Sequence, residues 1–374
     1  MSEPPTNPPA HPGRIAVAMS GGVDSAVAAL LLRRAGADVV GFFLRNGVVA
    51  KGPGSSRSCC SVSDAADARL VADQLGIPFY AVDVARPFQR IIDGFVDAYR
   101  NGTTPNPCVA CNVDVKFGHL LELARSIGAD TVATGHYARS DHRGGRWRLL
   151  RARDTSKDQS YVLATLRQEQ LAAARFPLGD LTKAEVRALA REAGLPVADK
   201  LESQEICFVP SGDYREFLRE RAPEAFAAGD LVDTAGAIVG THDGVVGFTV
   251  GQRKGLRAAF GEPRHVVDID PGTRRVTIGT REQASAATFD VPGVQWVGIA
   301  EPVVGSTLRA DVRIRHRHTA APASVTVVAP GRLRIAFDEP EFAITPGQLA
   351  VAYDGDAVMA AGLIESTRSE EGTR

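Results

Sequence analysis

The sequence predicts an α/β doubly wound parallel sheet, followed by a small central β-rich domain and a C-terminal β-barrel. Three observations carry this. In roughly the first half, short apolar runs alternate with helical segments that have capping residues, the pattern of a parallel sheet wound by crossover helices. From about residue 230 the texture changes: Gly, Val, Thr and Asp alternate, as in DGVVGFTVGQRKGL and RRVTIGT, with turn signals at the roughly 8–12-residue spacing of β proteins. The length of 374 residues suits two or three domains of about 100–200 residues each. The boundaries read as a disordered tail at 1–13, the parallel α/β domain at 14–210, a central β domain at 211–284, the barrel at 285–366 and a frayed tail at 367–374.

The elements follow in order. Arg14 to Met19 is a first buried strand, and Ser20 to Ser25 is a loop. AVAALLLRRAG then has helical composition, with Gly36 as its terminator. Val39 to Leu44 is a second strand. Residues 62–76 are helical, with Ser63 as N-cap and Gly76 as stop. Phe79 to Val84 is a third strand, 112–128 a helix, and Thr131 to Thr134 a strand ending at Gly135. Trp147 to Arg151 is read as a further strand, and Thr182 and Glu185 have capping-box spacing. Binding sites in doubly wound sheets lie at the carboxyl ends of the strands. Ser20–Ser25 and Gly135–His136 both fall there.

Composition narrows the function classes. Hydrophobic residues at 44% and charged residues at 23% describe a globular chain. No apolar run reaches the roughly 18 residues of a membrane helix. Five prolines in the first thirteen residues read as a tail and not a signal peptide, so a cytoplasmic protein without membrane contact is expected. The net charge of −1 confines any nucleic-acid site to a local patch. Cys59, Cys60, Cys108, Cys111 and Cys207 make an odd count, which argues for reduced thiols and against a disulfide framework.

Ser20-Gly21-Gly22-Val23-Asp24-Ser25 carries the first chemistry. Its glycines let a ligand approach the backbone, the following helix contributes its N-terminal dipole, and Ser20 and Ser25 add hydroxyls. The result suits a phosphate or pyrophosphate. It has neither the spacing nor the lysine of a Walker loop. The bland alternative is a capped Gly-rich turn. Cys108-Val109-Ala110-Cys111, behind Asn106-Pro107, and a third thiol at Cys207 carry the second chemistry. Cys111 near a helix start is expected to have a lowered thiol pKa. Half a zinc site, a redox pair and inert core thiols are the alternatives.

AMSGGVDSAVAALLL resembles the PP-loop of the N-type ATP pyrophosphatases, whose fold is adenine nucleotide alpha-hydrolase-like. Adding TPNPCVACN, ATGHYA, KDQSY, LGDLTKAEVR, KLESQEICF, GFTVGQRKGL and TPGQLAVAYDGD, the chain resembles the bacterial tRNA-specific 2-thiouridylases almost throughout. The resemblance implies ATP-dependent conversion of the wobble uridine at tRNA position 34 to 2-thiouridine, with Mg2+ as cofactor. It implies Cys207 as the persulfide carrier and Cys111 as the nucleophile that closes a transient disulfide with it. Ala18, Met19, Ser20, Gly21, Gly22, Val23, Asp24, Ser25, Leu44 and Gly135 would contact ATP. Asn106, Pro107 and Cys108 would meet the target base. His136, Lys157, Asp158, Gln159, Arg315, His316 and Gln348 would contact tRNA. The Lys, Glu and Gln isoacceptors, and a cysteine desulfurase or sulfur-relay protein, would be the partners. Many family members carry Asp where Cys108 stands. Three thiols at Cys108, Cys111 and Cys207 could instead hold a 4Fe–4S cluster.

A strand over 308–317 would put Arg309, Arg313, Arg315 and Arg317 on one face, suited to RNA phosphates. Its rivals are a solvated β face and, for the whole chain, an amidating ligase, a 4-thiouridine synthase or a non-catalytic RNA-binding protein.

Overall fold

The computed structural model describes residues 13–48, 62–201, 206–209, 212–256 and 261–365. Cys59, Cys60 and both expected tails, apart from Gly13, lie outside these residues. Strands β1 (Arg14–Ala18), β2 (Asp38–Arg45), β3 (Phe79–Asp83) and β4 (Thr131–Thr134) form a parallel sheet with the short strand Ala174–Arg175. The order is β3-β2-β1-β4 and then Ala174–Arg175. Chain direction across the sheet reverses between β1 and β4, so a crevice opens beyond their carboxyl ends.

The helices α1 (Val23–Arg34), α2 (Val62–Leu75) and α3 (Ala85–Arg100) cover the sheet. Sequence reading overlooks α3, although Phe88, Ile91, Ile92, Phe95, Val96 and Tyr99 bury one face at helical spacing. Ser63 lies one residue inside α2 as described and not before it. The expected helix at 112–128 is longer and different in kind. It starts at Pro107, with Asn106 as N-cap, and winds as a π-helix over Cys111–His119 before an α-helical end at Leu120–Ser126.

Two features hold the π stretch. A Cβ on Gly118 would come within 2.8 Å of the Val113 carbonyl, so a side chain there would press on the backbone five residues earlier. The Gln170 amide, almost fully buried, donates to the carbonyls of Val113 at 2.8 Å and Phe117 at 3.1 Å. Those are backbone acceptors that a regular α-helix would satisfy itself.

The central sheet has four strands, His265–Asp270, Arg275–Gly279, Gly229–Asp233 and Ile238–His242, in that spatial order. The C-terminal sheet is antiparallel, running Ser285–Pro292, Arg332–Phe342, Ala321–Ala329, Thr307–Arg313, Leu349–Asp354 and Ala357–Leu363. It curls until its ends meet, where the Glu365 N–H donates to the Asp290 carbonyl at 3.1 Å.

The strand expected at Trp147–Arg151 is Arg146–Leu150. It pairs with Arg139–Arg143 and, through Leu150, with Ala357 of the C-terminal sheet. One core accordingly contains Ala16, Val40 and Leu120 together with Leu149, Tyr161, Leu349, Val351 and Val358. The Tyr161 hydroxyl donates to the Leu349 carbonyl at 2.8 Å. Among the described residues no helix is long and apolar enough to cross a membrane.

Candidate active site

The crevice beyond β1 and β4 is a cavity of about 310 Å³. Ser20, Asp24 and Ser25 line it from the phosphate loop, Leu44 and Asn46 from the end of β2, and Gly135 and His136 from the end of β4. Pro107, Cys108, Cys111 and Lys116 reach it from the helical run after Asn106, and Cys207 from the far side.

Local chemistry explains the loop. Gly21 has φ +74, and a Cβ there would sit 2.3 Å from the Asp64 carbonyl oxygen, so only glycine fits. Gly22 occupies the N-cap of α1 and contributes no side chain to its first-turn N–H groups. The Ser20 N–H donates to Ser25 Oγ at 3.1 Å, and that hydroxyl donates to the Gly22 carbonyl at 3.1 Å. The loop is thereby closed into a ring of backbone around the start of a helix, a ready anion site.

Two lysines brace it. Lys183 donates from Nζ to both Asp24 carboxylate oxygens, and the Tyr137 hydroxyl donates to the same carboxylate at 2.8 Å. Lys183 is positioned by its place at the head of the helix Lys183–Glu192. There Thr182 and Glu185 form the expected capping box, and the Lys183 N–H donates to Asp154 at 2.9 Å. Lys200 donates to the Gly21 carbonyl at 3.0 Å and to Asp64 and Asp67. Sequence reading assigns neither lysine, though LGDLTKAEVR and KLESQEICF contain them.

His136 is buried, and that burial, with Lys116 nearby, holds its imidazole pKa well below the ordinary value. The ring is therefore neutral, with Nδ1 2.8 Å from Thr134 Oγ1 and Nε2 3.5 Å from Lys116 Nζ. Cys108 is exposed, whereas Cys111 and Cys207 are half-buried. Among the described residues no group of three or more His, Cys, Asp or Glu side chains is arranged to hold a metal ion. The three thiols share the cavity.

The other expected site residues divide. Ala18 and Met19 line the cavity; Gly21, Gly22 and Val23 form the loop behind it. Gln159 lines it and accepts from the Tyr137 N–H at 2.9 Å, while Asn106 occupies the N-cap position, without a side-chain capping bond, of the helical run that carries Cys108 and Cys111. Lys157 and Asp158 stand outside the lining. Gln348 donates to the Thr104 carbonyl at 2.9 Å and so ties the C-terminal sheet to the loop before Asn106. His316 is exposed and packs edge-on against Tyr161.

The expected arginine stripe needs correction. The strand ends at Arg313, so Arg315 and Arg317 lie in the bend that follows. Arg313 turns inward to the buried carboxylate of Asp158 at 3.2 Å and bonds the His316 carbonyl. Arg315 donates to the Phe342 carbonyl at 2.9 Å, and exposed Arg309 pairs with Asp338. The Asp158 carboxylate also accepts from Ala152 and Ser160, so it is a structural hub.

Residues 13–211 match the family described as tRNA methyl transferase HUP domain. Residues 215–280 match the tRNA methyl transferase PRC-barrel domain, and 286–364 the aminomethyltransferase beta-barrel domain. The protein named tRNA-specific 2-thiouridylase MnmA in Geobacter metallireducens is 49% identical over 363 residues, covering 96% of this chain and 98% of the relative. The chain belongs to the tRNA-specific 2-thiouridylase family. Relatives of the same name agree at similar depth. The one from Geotalea uraniireducens is 46% identical, covering 94% of this chain and 95% of the relative. That from Moorella thermoacetica is 47% identical, covering 94% and 99%.

Proposed function

We propose that this cavity activates C2 of a tRNA uridine with ATP and replaces its oxygen with sulfur carried on Cys207. As a member of its family the chain is a tRNA-uridine 2-sulfurtransferase. The observation that carries the site reading is that one cavity joins the phosphate loop, through Ser20, Asp24 and Ser25, to Cys111 and Cys207. Phosphate and thiol chemistry then share one substrate, as an amidating ligase would not require.

ATP is a substrate here. Its β,γ-pyrophosphate suits the loop and the start of α1, and its adenosine the side toward Leu44 and Gly135. The buried Asn46 amide nitrogen, without a hydrogen-bond partner among the described residues, supports a polar ligand there. The uridine O2 attacks the α-phosphorus, the bond to the bridging oxygen breaks, and pyrophosphate leaves. Asp24 is the carboxylate suited to Mg2+, which would supply charge neutralisation at the phosphates.

The terminal sulfur of a Cys207 persulfide then attacks C2. The C2–O bond breaks and AMP leaves with its electron pair. The Cys111 thiolate attacks Cys207 Sγ, the S–S bond breaks toward the uridine, and 2-thiouridine remains with a Cys111–Cys207 disulfide. A dithiol reductant and a sulfur-relay protein or cysteine desulfurase reset the pair. We further assign the target to the wobble uridine of Lys, Glu and Gln isoacceptors, in the cytoplasm. Asn106, Pro107 and Cys108 would meet the base; His136, Lys157, Asp158, Gln159, Arg315, His316 and Gln348 would contact the tRNA, His136 and Gln159 from the cavity wall and the others from outside it.

The test is thiolation of an unmodified transcript by Cys111→Ser, Cys207→Ser and Cys108→Asp variants. The first two are expected to lose thiolation while still releasing pyrophosphate. Cys108→Asp is expected to keep it, because two thiols suffice. Loss of activity together with bound iron in Cys108→Asp would replace the persulfide by a cluster.

A further inference from the structure

Lys116 is the single lysine or arginine among the described residues lining the cavity. No role above uses it. Its arrival there depends on the π-helix over Cys111–His119, whose bonding extends to the Leu120 N–H donating to the Val115 carbonyl, five residues back. In i→i+5 winding, residues five apart lie close to one face. An α-helix of about 3.6 residues per turn would swing Lys116 about 140° from Cys111. Gly118 and Gln170 hold the winding that puts both side chains on the cavity.

The neutral His136 completes the aim. With Nδ1–H donated to Thr134, Nε2 accepts from the Lys116 ammonium, so no second positive charge opposes it. Much of the surrounding wall is apolar: Phe43, Leu44, Phe88, Ile91 and Phe208. When the C2–O bond of an adenylated uridine breaks, AMP gains one negative charge beside this wall. An unmatched charge is costly in such surroundings, and a preplaced cation is worth most there.

We propose that Lys116 is a catalytic residue of the sulfur-transfer step, its ammonium meeting the α-phosphate of the adenylated uridine and matching the charge that AMP acquires on leaving. This rests on the reading of the cavity given above. The C2–S bond forms from the persulfide sulfur, the C2–O bond breaks, and the electron pair departs on the AMP oxygen. Lys116 donates hydrogen bonds to phosphate oxygens and keeps its proton.

The experiment compares Lys116→Met, Lys116→Gln and Lys116→Arg in the full chain, with ATP, an unmodified tRNA transcript and a persulfide donor. Met and Gln are expected to lower kcat for thiolation by about 100-fold or more. The KM for tRNA should stay within about twofold, as for an interaction made chiefly in the transition state. Arg is expected to recover a substantial part of kcat. A kcat within a few-fold of wild type in a folded Met or Gln variant overturns the proposal. So does equal inactivity of all three with weakened tRNA binding, which marks a structural role. A parallel Cys207→Ser variant separates the two levels. Thiolation by that variant defeats the sulfur assignment, whereas its inactivity beside an active Lys116→Met defeats Lys116 alone.

Discussion

Lys183 holds Asp24 by both carboxylate oxygens, each at 2.8 Å, across 159 residues of sequence. The pair is largely shielded, with side chains 12% and 30% exposed. Asp24 is thus fixed at the first turn of α1 on the wall of the cavity. Asp24→Ala removes the only carboxylate among the described lining residues and the two hydrogen bonds that Lys183 gives it. AMP and pyrophosphate formation should stop, measured by pyrophosphate release in the presence of ATP and tRNA. Cleavage at the wild-type rate would remove Asp24 from the phosphate chemistry.

Arg313 and Asp158 form a more deeply buried pair, 16% and 4% exposed. Arg313→Ala should destabilise the protein by about 3–5 kcal/mol, because a buried carboxylate loses its partner. Denaturant unfolding measures this. Arg317, exposed in the following bend, should behave differently: Arg317→Ala should leave stability alone and reduce the salt slope of tRNA binding by about one unit. The opposite assignment of the two effects would restore the arginine stripe.

His136 makes stability depend on pH. Burial, then Lys116, depresses its folded pKa, so below the ordinary histidine value the unfolded chain binds a proton that the folded chain refuses. Its contribution is complete above about pH 6.5 and is lost as pH falls toward the folded pKa, with a limiting slope of about 1.4 kcal/mol per pH unit. His136→Gln should flatten the stability profile between about pH 6.5 and 5 by up to one proton. An unchanged slope would mean that the imidazole is charged in the folded protein.

Gly118 and Gly94 are both helical, yet they should respond oppositely to alanine. At Gly118 the new methyl meets the Val113 carbonyl at 2.8 Å, so a cost of about 1–3 kcal/mol is expected as the π-helix shifts. At Gly94, inside α3, nothing lies within 4 Å, so alanine should stabilise by about 0.5–1 kcal/mol. Thermal melts of both variants check the pair, and stabilisation by Gly118→Ala would deny that the π winding needs glycine.

The alternating strands and helices of the first half were legible because each is short, buried and punctuated. Gly36, Gly76 and Gly128 close helices with positive φ, and Thr182 and Glu185 cap one as spaced. The shape of the Ser20–Ser25 loop was legible for the same reason, since it is set by glycines and hydroxyls adjacent in sequence. The π-helix was not, because it is stabilised by Gln170, more than fifty residues away. Arg313 was misread because Asp158, its partner, is 155 residues away and so more remote still. Lys183 stood in a motif already noticed, and Lys116 in the helix expected over 112–128. A long flexible side chain acquires a direction only from tertiary packing, so their tasks could not be read from spacing.

The hairpin Arg139–Leu150, pairing at Leu150 with Ala357, constrains how the chain can be made. Leu149 and Tyr161 enter a core that also needs Leu349, Val351, Tyr353 and Val358. While the chain emerges from the ribosome, that core stays open until nearly the last strand is synthesised. The crevice residues and the thiols emerge earlier, but the wall behind them is completed late. Closing that core is therefore a long-range docking step, and a chain cut short just after Gln348 would carry every residue assigned to the chemistry, yet lack the support beneath them.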